Sequence, residues 1–414
     1  MLPSRLTSLP EYAFPRLHAL LAGIEPDVPT IDFSIGEPKH TPPAFVKDVL
    51  DRHFEDFRRY PPVDGTESWR ASVREWLANR YGFSTSWAEQ SLAVLPLNGT
   101  REGLFMSILA TTPEQKAGGR PAVLLPNPFY QCYAAATLTA GAEPVYLSAT
   151  DDTGHLPSLD LDTQLLQRTS AFFLCSPANP QGSVASPAYW RRLLDLAERF
   201  DFTVFADECY SEIYRDSAPT GVLETAASTG ANPNRVLAFH SLSKRSNLPG
   251  LRSGFVAGGA EPINSLKKLK AYGGAPCPLP VIHASEAAWR DETHVEENRA
   301  LYTEKFALAD AIFTNHSAYR SPEAGFFLWI PVRDGVSAAR SLWRNKGIKV
   351  LPGAYISRTD AHGRDPGADY IRVALVAPMD QIEDGLTRLR EGLHRISEQG
   401  SGTQDVDGAT SFTR

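Results

Sequence analysis

The chain has 414 residues, with Lys plus Arg at 41 and Asp plus Glu at 48 for a formal net charge of −7, and it is 42% hydrophobic and 21% charged. This is globular composition, long enough for two or three domains and without the global basic footprint of a nucleic-acid binder. The four cysteines, Cys132, Cys175, Cys209 and Cys277, make no CxxC pair, no apolar run could span a bilayer, and the N-terminus lacks a signal-peptide core, so a soluble cytoplasmic protein with no metal site is expected.

The first forty residues read as proline-spaced and irregular. Short Val-, Leu- and Phe-rich runs bounded by Gly, Pro, Asn or Asp then predict strands at 92–97, 122–125, 143–147, 171–175, 203–206, 236–239 and 254–257. Helical patterns lie between several of them, at 100–110, 130–140, 187–200 and 262–272. Ser186 followed by Pro187 is a good helix start, a cap and then proline at the first position. This alternation predicts an α/β fold, a three-layer αβα domain around a mainly parallel sheet, with its site at the carboxyl ends of the strands. A long polar helix is expected over 286–313, followed by a shorter set of strands and helices at 325–331, 338–345, 370–375 and 379–394. Residues 397–414, rich in Gly, Ser, Thr and Asp, are expected to be disordered. The expected organisation is a large domain over 45–285 and a smaller α+β domain drawn from both ends, 1–44 and 286–396.

Motifs follow five of these strands. Ser241-Leu242-Ser243-Lys244, with Arg252 beyond, offers an amine at the sheet edge and groups to hold an anion beside it; an exposed loop lysine is the plainer reading. Asp207-Glu208-Cys209-Tyr210 places a carboxylate where it could keep a pyridine nitrogen protonated, or merely cap a helix. Ser176-Pro177-Ala178-Asn179-Pro180-Gln181-Gly182 is a rigid turn that could aim the Asn179 amide into the same crevice. Asn98-Gly99-Thr100-Arg101 precedes a helix, where backbone N–H groups bind phosphate well, although Asn-Gly is also an ordinary turn. Pro128-Phe129-Tyr130 offers an aromatic face for a planar ring, or core packing. Together these motifs describe a pocket for a phosphorylated, aldehyde-bearing pyridine.

On these motifs the chain, from about residue 31 to 394, resembles a class I/II aminotransferase of the fold-type I pyridoxal-phosphate superfamily, and the Asp207 motif standing 37 residues before Lys244 is specific in combination with it. The resemblance implies pyridoxal 5′-phosphate as cofactor, with Lys244 as its Schiff-base lysine and as the proton shuttle between Cα and C4′. It implies Asp207 against the pyridinium nitrogen, Tyr210 and Asn179 on the ring's O3′, and Tyr130, rather than Phe129, stacked on the ring face. Gly99, Thr100, Ser241 and Arg252 would hold the phosphate. Tyr60 matches a tyrosine that reaches the neighbouring subunit's phosphate, which implies a homodimer with shared active sites. Arg372 would grip the substrate α-carboxylate, as a guanidinium can do bidentately, and Gly36 belongs to a segment that lies over the substrate. The family's NPTG turn reads Asn179-Pro180-Gln181-Gly182 here, keeping Asn and Gly. Ping-pong transfer between an amino acid and a 2-oxo acid follows.

Three segments, 34–40, 127–133 and 243–252, are similar to the succinyldiaminopimelate aminotransferases of bacterial lysine synthesis. That likeness implies N-succinyl-LL-2,6-diaminopimelate and 2-oxoglutarate as the substrate pair, and a second cation for the remote carboxylate, with Arg16, Lys39 and Lys270 as candidates. The alternatives are an aspartate, aromatic or kynurenine-type aminotransferase, a C–S lyase on the same scaffold, or a non-catalytic pyridoxal-phosphate-binding regulator. A nicotinamide-binding sheet is disfavoured, because no GxGxxG joins a first strand to its helix.

Overall fold

The structure is a computed structural model that describes residues 7, 9, 11–316, 319–360 and 363–401. After a short strand β1 (Ile31–Asp32), the main strands are β2 (Ala93–Leu97), β3 (Ala122–Asn127), β4 (Glu143–Ser148), β5 (Thr169–Cys175), β6 (Thr203–Asp207), β7 (Val236–Ser241) and β8 (Gly254–Gly258). They form one seven-stranded sheet in the order β2-β8-β7-β6-β5-β3-β4. Only β8 runs antiparallel to its neighbours β2 and β7; the other pairings are parallel.

Helices cover both faces, so the central strands read as continuous apolar runs rather than alternating ones. In β5 all seven residues are buried. Successive side chains still go to opposite faces. Phe172, Leu174, Val204 and Val236 pack with Trp69 of the helix Glu67–Tyr81 and Trp190 of the helix Pro187–Phe200. Phe173, Phe205, Leu237 and Val256 pack on the other side, with Leu104, Tyr133 and Leu266 of the helices Thr100–Thr111, Gln131–Thr139 and Ala260–Gly273. Ser186 caps its helix as the sequence suggests, accepting from the Tyr189 N–H, with Pro187 in the first turn.

The remaining strands are β9 (Phe327–Pro331), β10 (Ile348–Lys349), β11 (Leu351–Pro352) and β12 (Tyr370–Ala374). β11, β12 and β9 make an antiparallel sheet, while β10 pairs in parallel with β1 from the start of the chain. Ile31 and Phe33 share a core with Phe306, Phe326, Ile330, Ile371, Leu386 and Leu393, so early and late parts of the chain fold together.

Three expectations change. The irregular first forty residues contain the helix Ala13–Leu21, whose Ala13, Leu17 and Leu21 recur at four-residue spacing and bury against Trp329, Leu351 and Tyr355; its Pro15 sits in the first turn, where no intrahelical N–H bond is lost. The long polar helix expected over 286–313 is two helices, Leu279–Arg290 and Thr293–Phe313. The break occurs because Asp291 accepts from the His294 N–H at 3.1 Å, while the Glu292 carboxylate is taken by Trp76 Nε1 at 2.9 Å and by Arg245. The last helix runs over Met379–Ser401, entering the stretch expected to be disordered, where Glu398 and Gln399 are good helix formers; residues 402–414 lie outside the described residues. Among the described residues no helix is long and apolar enough to cross a membrane.

Candidate active site

A cavity of about 540 Å³ opens at the carboxyl edge of the main sheet. Its floor is the end of β6. Asp207 is buried there, and its Oδ2 accepts from the Tyr133 hydroxyl at 2.7 Å. Its Oδ1 is buried without a hydrogen-bond partner. Burial pushes the carboxyl's proton affinity up, with the hydrogen bond from Tyr133 pulling the other way.

Beside it, β7 ends at Ser241, whose Oγ accepts from the Ser243 N–H at 3.1 Å and so starts the single turn Leu242–Arg245 that carries Lys244. Lys244 Nζ donates to the Gly36 carbonyl at 2.6 Å and lies 5.2 Å from the Phe326 ring centre. Burial foremost, with Arg372 and Arg252 nearby, pushes this amine down to about 8. A neutral, nucleophilic amine is therefore well populated near physiological pH.

The anion cradle forms where β2 meets its helix. Gly99 has φ +82°, and a Cβ there would stand 2.1 Å from Arg252 Nη2, so glycine alone lets the guanidinium lie over this turn. Arg252 donates to the carbonyls of Asn98 at 3.0 Å and Pro249 at 2.9 Å. Thr100 begins the helix behind, whose free N–H groups face the same space. From the end of β3, Tyr130 lines the wall, its ring edge-on to Tyr133 at 5.6 Å and its hydroxyl 2.5 Å from Arg101 Nε. Phe129 also reaches the wall, but its ring is buried against Tyr146.

The opposite wall is assembled from distant parts of the chain. Arg372, buried on β12, donates to Asn179 Oδ1 at 3.1 Å and to the Ser34 carbonyl at 2.7 Å, and stacks 4.4 Å from the Phe327 ring centre. Its Nε has no hydrogen-bond partner, and burial pushes its pKa down to about 10. Asn179 Nδ2 reaches the Tyr210 hydroxyl at 3.5 Å. A Cβ at position 36 would lie 2.5 Å from Phe327 Cζ, so a larger residue must displace that ring.

Gly36, Thr100, Tyr130 and Asn179 thus share one cavity with Asp207, Tyr210, Ser241, Lys244, Arg252 and Arg372. Gly99 borders it beneath Arg252. Tyr60 does not enter: it is fully exposed and away from the cavity of its own chain. None of the three cations expected for a remote carboxylate lines the cavity. Lys270 is buried against Glu102 at 2.8 Å, Arg16 stacks on Tyr355 at 4.0 Å, and Lys39 is exposed. Arg101 stands on the wall instead. Arg101 belongs to the 98–101 motif and Tyr133 to the 127–133 segment, and the sequence assigns neither a task; Tyr133 lies in the first turn of the helix that Tyr130 precedes. Tyr12 and Phe14, also on the wall, carried no signal in the sequence. Among the described residues one metal-type trio exists, His53, Asp56 and His283, outside this cavity; its imidazoles stack at 3.8 Å and 19°, so their in-plane lone pairs do not converge.

The donor set fits a planar phosphorylated pyridine aldehyde. The partnerless Asp207 Oδ1 is an acceptor for a ring N–H⁺, the glycine turn and Arg252 suit a phosphate, Tyr130 supplies a ring face, and Lys244 supplies the amine.

The family model for aminotransferase class I and II matches residues 28–389. An LL-diaminopimelate aminotransferase of Desulforudis audaxviator is 29% identical over 403 residues, 95% of this chain and 98% of the relative. Among solved structures, an aminotransferase of Neisseria meningitidis superposes with a TM-score of 0.89 at 37% identity, covering 95% of this chain and all of that one. Aminotransferase AspB of Helicobacter pylori gives a TM-score of 0.84 at 35% identity, covering 93% and 98%.

Proposed function

The chain belongs to the aminotransferase class I and II family, and from that premise we propose that it moves an amino group between N-succinyl-LL-2,6-diaminopimelate and 2-oxoglutarate, with pyridoxal 5′-phosphate as cofactor. The observation that carries the cofactor reading is the buried Asp207 Oδ1 with no partner, in the same cavity as an amine pushed down to about 8. When bound, the cofactor supplies an aldehyde for the amine and a protonated ring that takes up the electron pair released at the substrate Cα. Asp207 would hold the ring nitrogen protonated by Coulomb attraction. Tyr210 and Asn179 would fix the ring oxygen, Tyr130 would cover the ring face, and Gly99, Thr100, Ser241 and Arg252 would hold the phosphate. Arg372 grips the α-carboxylate while its contacts to Asn179 and Ser34 keep the guanidinium in place. With the cofactor bound, that grip would turn the Cα proton toward Lys244 Nζ, the group placed to take it up and hand it back. The Gly36 segment roofs the site and limits water.

The substrate pair rests on charge. Succinylation replaces a distal ammonium with a neutral amide and adds a carboxylate, and Arg101, which also bonds the Tyr130 hydroxyl, is the wall cation offered to it. A second reading, unacylated LL-diaminopimelate, is favoured by the Desulforudis relative and by Glu37, a wall carboxylate that could meet a distal ammonium. Half-reactions followed by absorbance with succinyl-LL-diaminopimelate, LL-diaminopimelate and aspartate separate these readings. Fastest turnover of the succinylated donor supports the proposal, and much faster turnover of either other donor overturns it.

Two further parts belong to this reading. The enzyme acts as a homodimer in which the fully exposed Tyr60, near the exposed Phe54 and Phe57, reaches the partner's phosphate. The division into 45–285 and 1–44 with 286–396 is supported by the core that Ile31 and Phe33 share with residues as late as Leu393.

A further inference from the structure

We propose that His40 is a positioning residue: it joins Lys305 and Asn298 into a one-way hydrogen-bonded relay that fixes the 36–40 segment against the turn carrying Lys244. The inference rests on the reading of Lys244 as the reacting amine.

The polarity of the relay follows from its ends. Lys305 Nζ lies 2.6 Å from His40 Nε2; burial pushes this amine down to about 8, and below that pH it is an ammonium that can only donate, so Nε2 accepts. Nδ1 then carries the proton and donates to Asn298 Oδ1 at 2.8 Å. Asn298, with its oxygen so occupied, donates from Nδ2 to the carbonyls of Lys244 and Arg245, both at 3.3 Å. Asn247 Nδ2 donates to the same Oδ1 at 2.7 Å and leaves the amide no reason to flip. The carbonyls of Lys244 and Arg245 can only accept, which fixes the Asn298 amide and, through it, the His40 proton, while Asn247 Oδ1 stays buried without a partner.

The surroundings make the relay necessary. Lys305 is only 2% exposed, and among the described residues no carboxylate pairs with it. A neutral imidazole is the acceptor its buried charge has, and burial together with Lys305 holds His40 below the usual histidine range, which keeps that acceptor available. A parallel apolar path runs beside the polar one. The His40 ring packs on Tyr302 at 4.7 Å, Tyr302 stacks on Phe326 at 5.5 Å and 22°, and Phe326 lies beneath the Lys244 amine. The 36–40 segment is thus tied to Lys244 at both ends, by Gly36 accepting from Nζ and by His40 through Asn298 to the Lys244 backbone. Loosening the His40 end frees the carbonyl that orients the amine.

The test separates this from a ring that only fills space. His40→Phe keeps a ring on Tyr302 and removes both nitrogens, while His40→Gln keeps one donor and one acceptor. In single-turnover half-reactions, His40→Phe is expected to slow the proton-transfer step about tenfold with substrate affinity within about twofold, and His40→Gln to stay within about threefold of the unaltered enzyme. Lys305→Met should match His40→Phe, and the double variant should be no slower than either, since both cut one relay. A readout independent of turnover is the pH midpoint of the visible absorption of the cofactor-loaded protein without substrate, expected to shift in His40→Phe and Lys305→Met but not in His40→Gln. An unaltered rate and midpoint in His40→Phe, a His40→Gln as slow as His40→Phe, or additive losses in the double variant each overturn the relay. If His40→Phe does not fold, Lys305→Met and His40→Gln decide alone. Turnover surviving in Lys244→Ala would remove the reading of Lys244 itself, whereas a fast His40→Phe removes only the relay.

Discussion

The two walls of the cavity are built in opposite ways. On the sheet side, Asp207, Ser241, Lys244, Thr100 and Tyr130 each stand within a few residues of the strand that delivers them. On the facing side, Gly36, Tyr12 and Arg372 come from opposite ends of the chain and meet only by folding, as in the Arg372 bond to Ser34, 338 positions away. The sheet side holds what every turnover needs in one place. The facing side is held by long-range bonds, and through the Gly36 carbonyl and the Arg372 charge it reaches the Lys244 amine as well.

If that contrast is right, the largest loss comes from the sheet side. Lys244→Ala should lower the half-reaction rate with every amino donor by about 10³–10⁴-fold, measured by stopped-flow absorbance, since both nucleophile and proton carrier are gone. Arg372→Leu, on the facing side, should instead raise KM for all amino donors by about 100-fold, with a smaller fall in kcat, as loss of a buried partner for a carboxylate does.

Arg372→Leu also tests how the walls communicate. In the cofactor-free protein the Lys244 amine becomes neutral as pH rises through about 8, so its reaction with an added aldehyde should climb through that pH and level off above it. Arg372 is one of the cations that lower this amine, so its removal should move the climb to higher pH. Burial is the larger cause, so the midpoint should still fall below that of a surface lysine. An unmoved midpoint would mean the walls are electrically separate. The smallest effect is expected from Gly36→Ala. Its methyl would stand 2.5 Å from Phe327 Cζ, costing about 1–3 kcal/mol of stability, read as a lower denaturant midpoint at constant slope, with turnover reduced only severalfold.

The same contrast explains what was legible in the sequence. The strands β3, β5 and β6 could be read because each is buried on both faces and so is a dense apolar run ended by a turn signal. The residues at their ends could be read with them, because function and element share one stretch of chain. The helix Ala13–Leu21 was hidden by the prolines around it, and the break at Asp291 by two carboxylates whose partners, His294, Trp76 and Arg245, only the fold supplies. The sequence offers Arg16, Lys39 and Lys270 as cations for a remote acidic group, since charge can be counted in a sequence but its prior commitments cannot. Lys270 is already paired with Glu102, and Arg16 is stacked on Tyr355.

By itself the sequence determined the doubly covered sheet, its strands and the reactive groups at their carboxyl ends, because short-range periodicity and strand-end chemistry are properties of contiguous residues. The tertiary structure alone decided which oxygen of Asp207 lacks a partner, what a side chain at 36 or 99 would crowd, that Arg101 joins Arg252 and Arg372 in lining the cavity, and how His40 reaches Lys244 through Asn298. Burial, close approach and shared hydrogen bonds arise between segments hundreds of residues apart, and no local pattern records them.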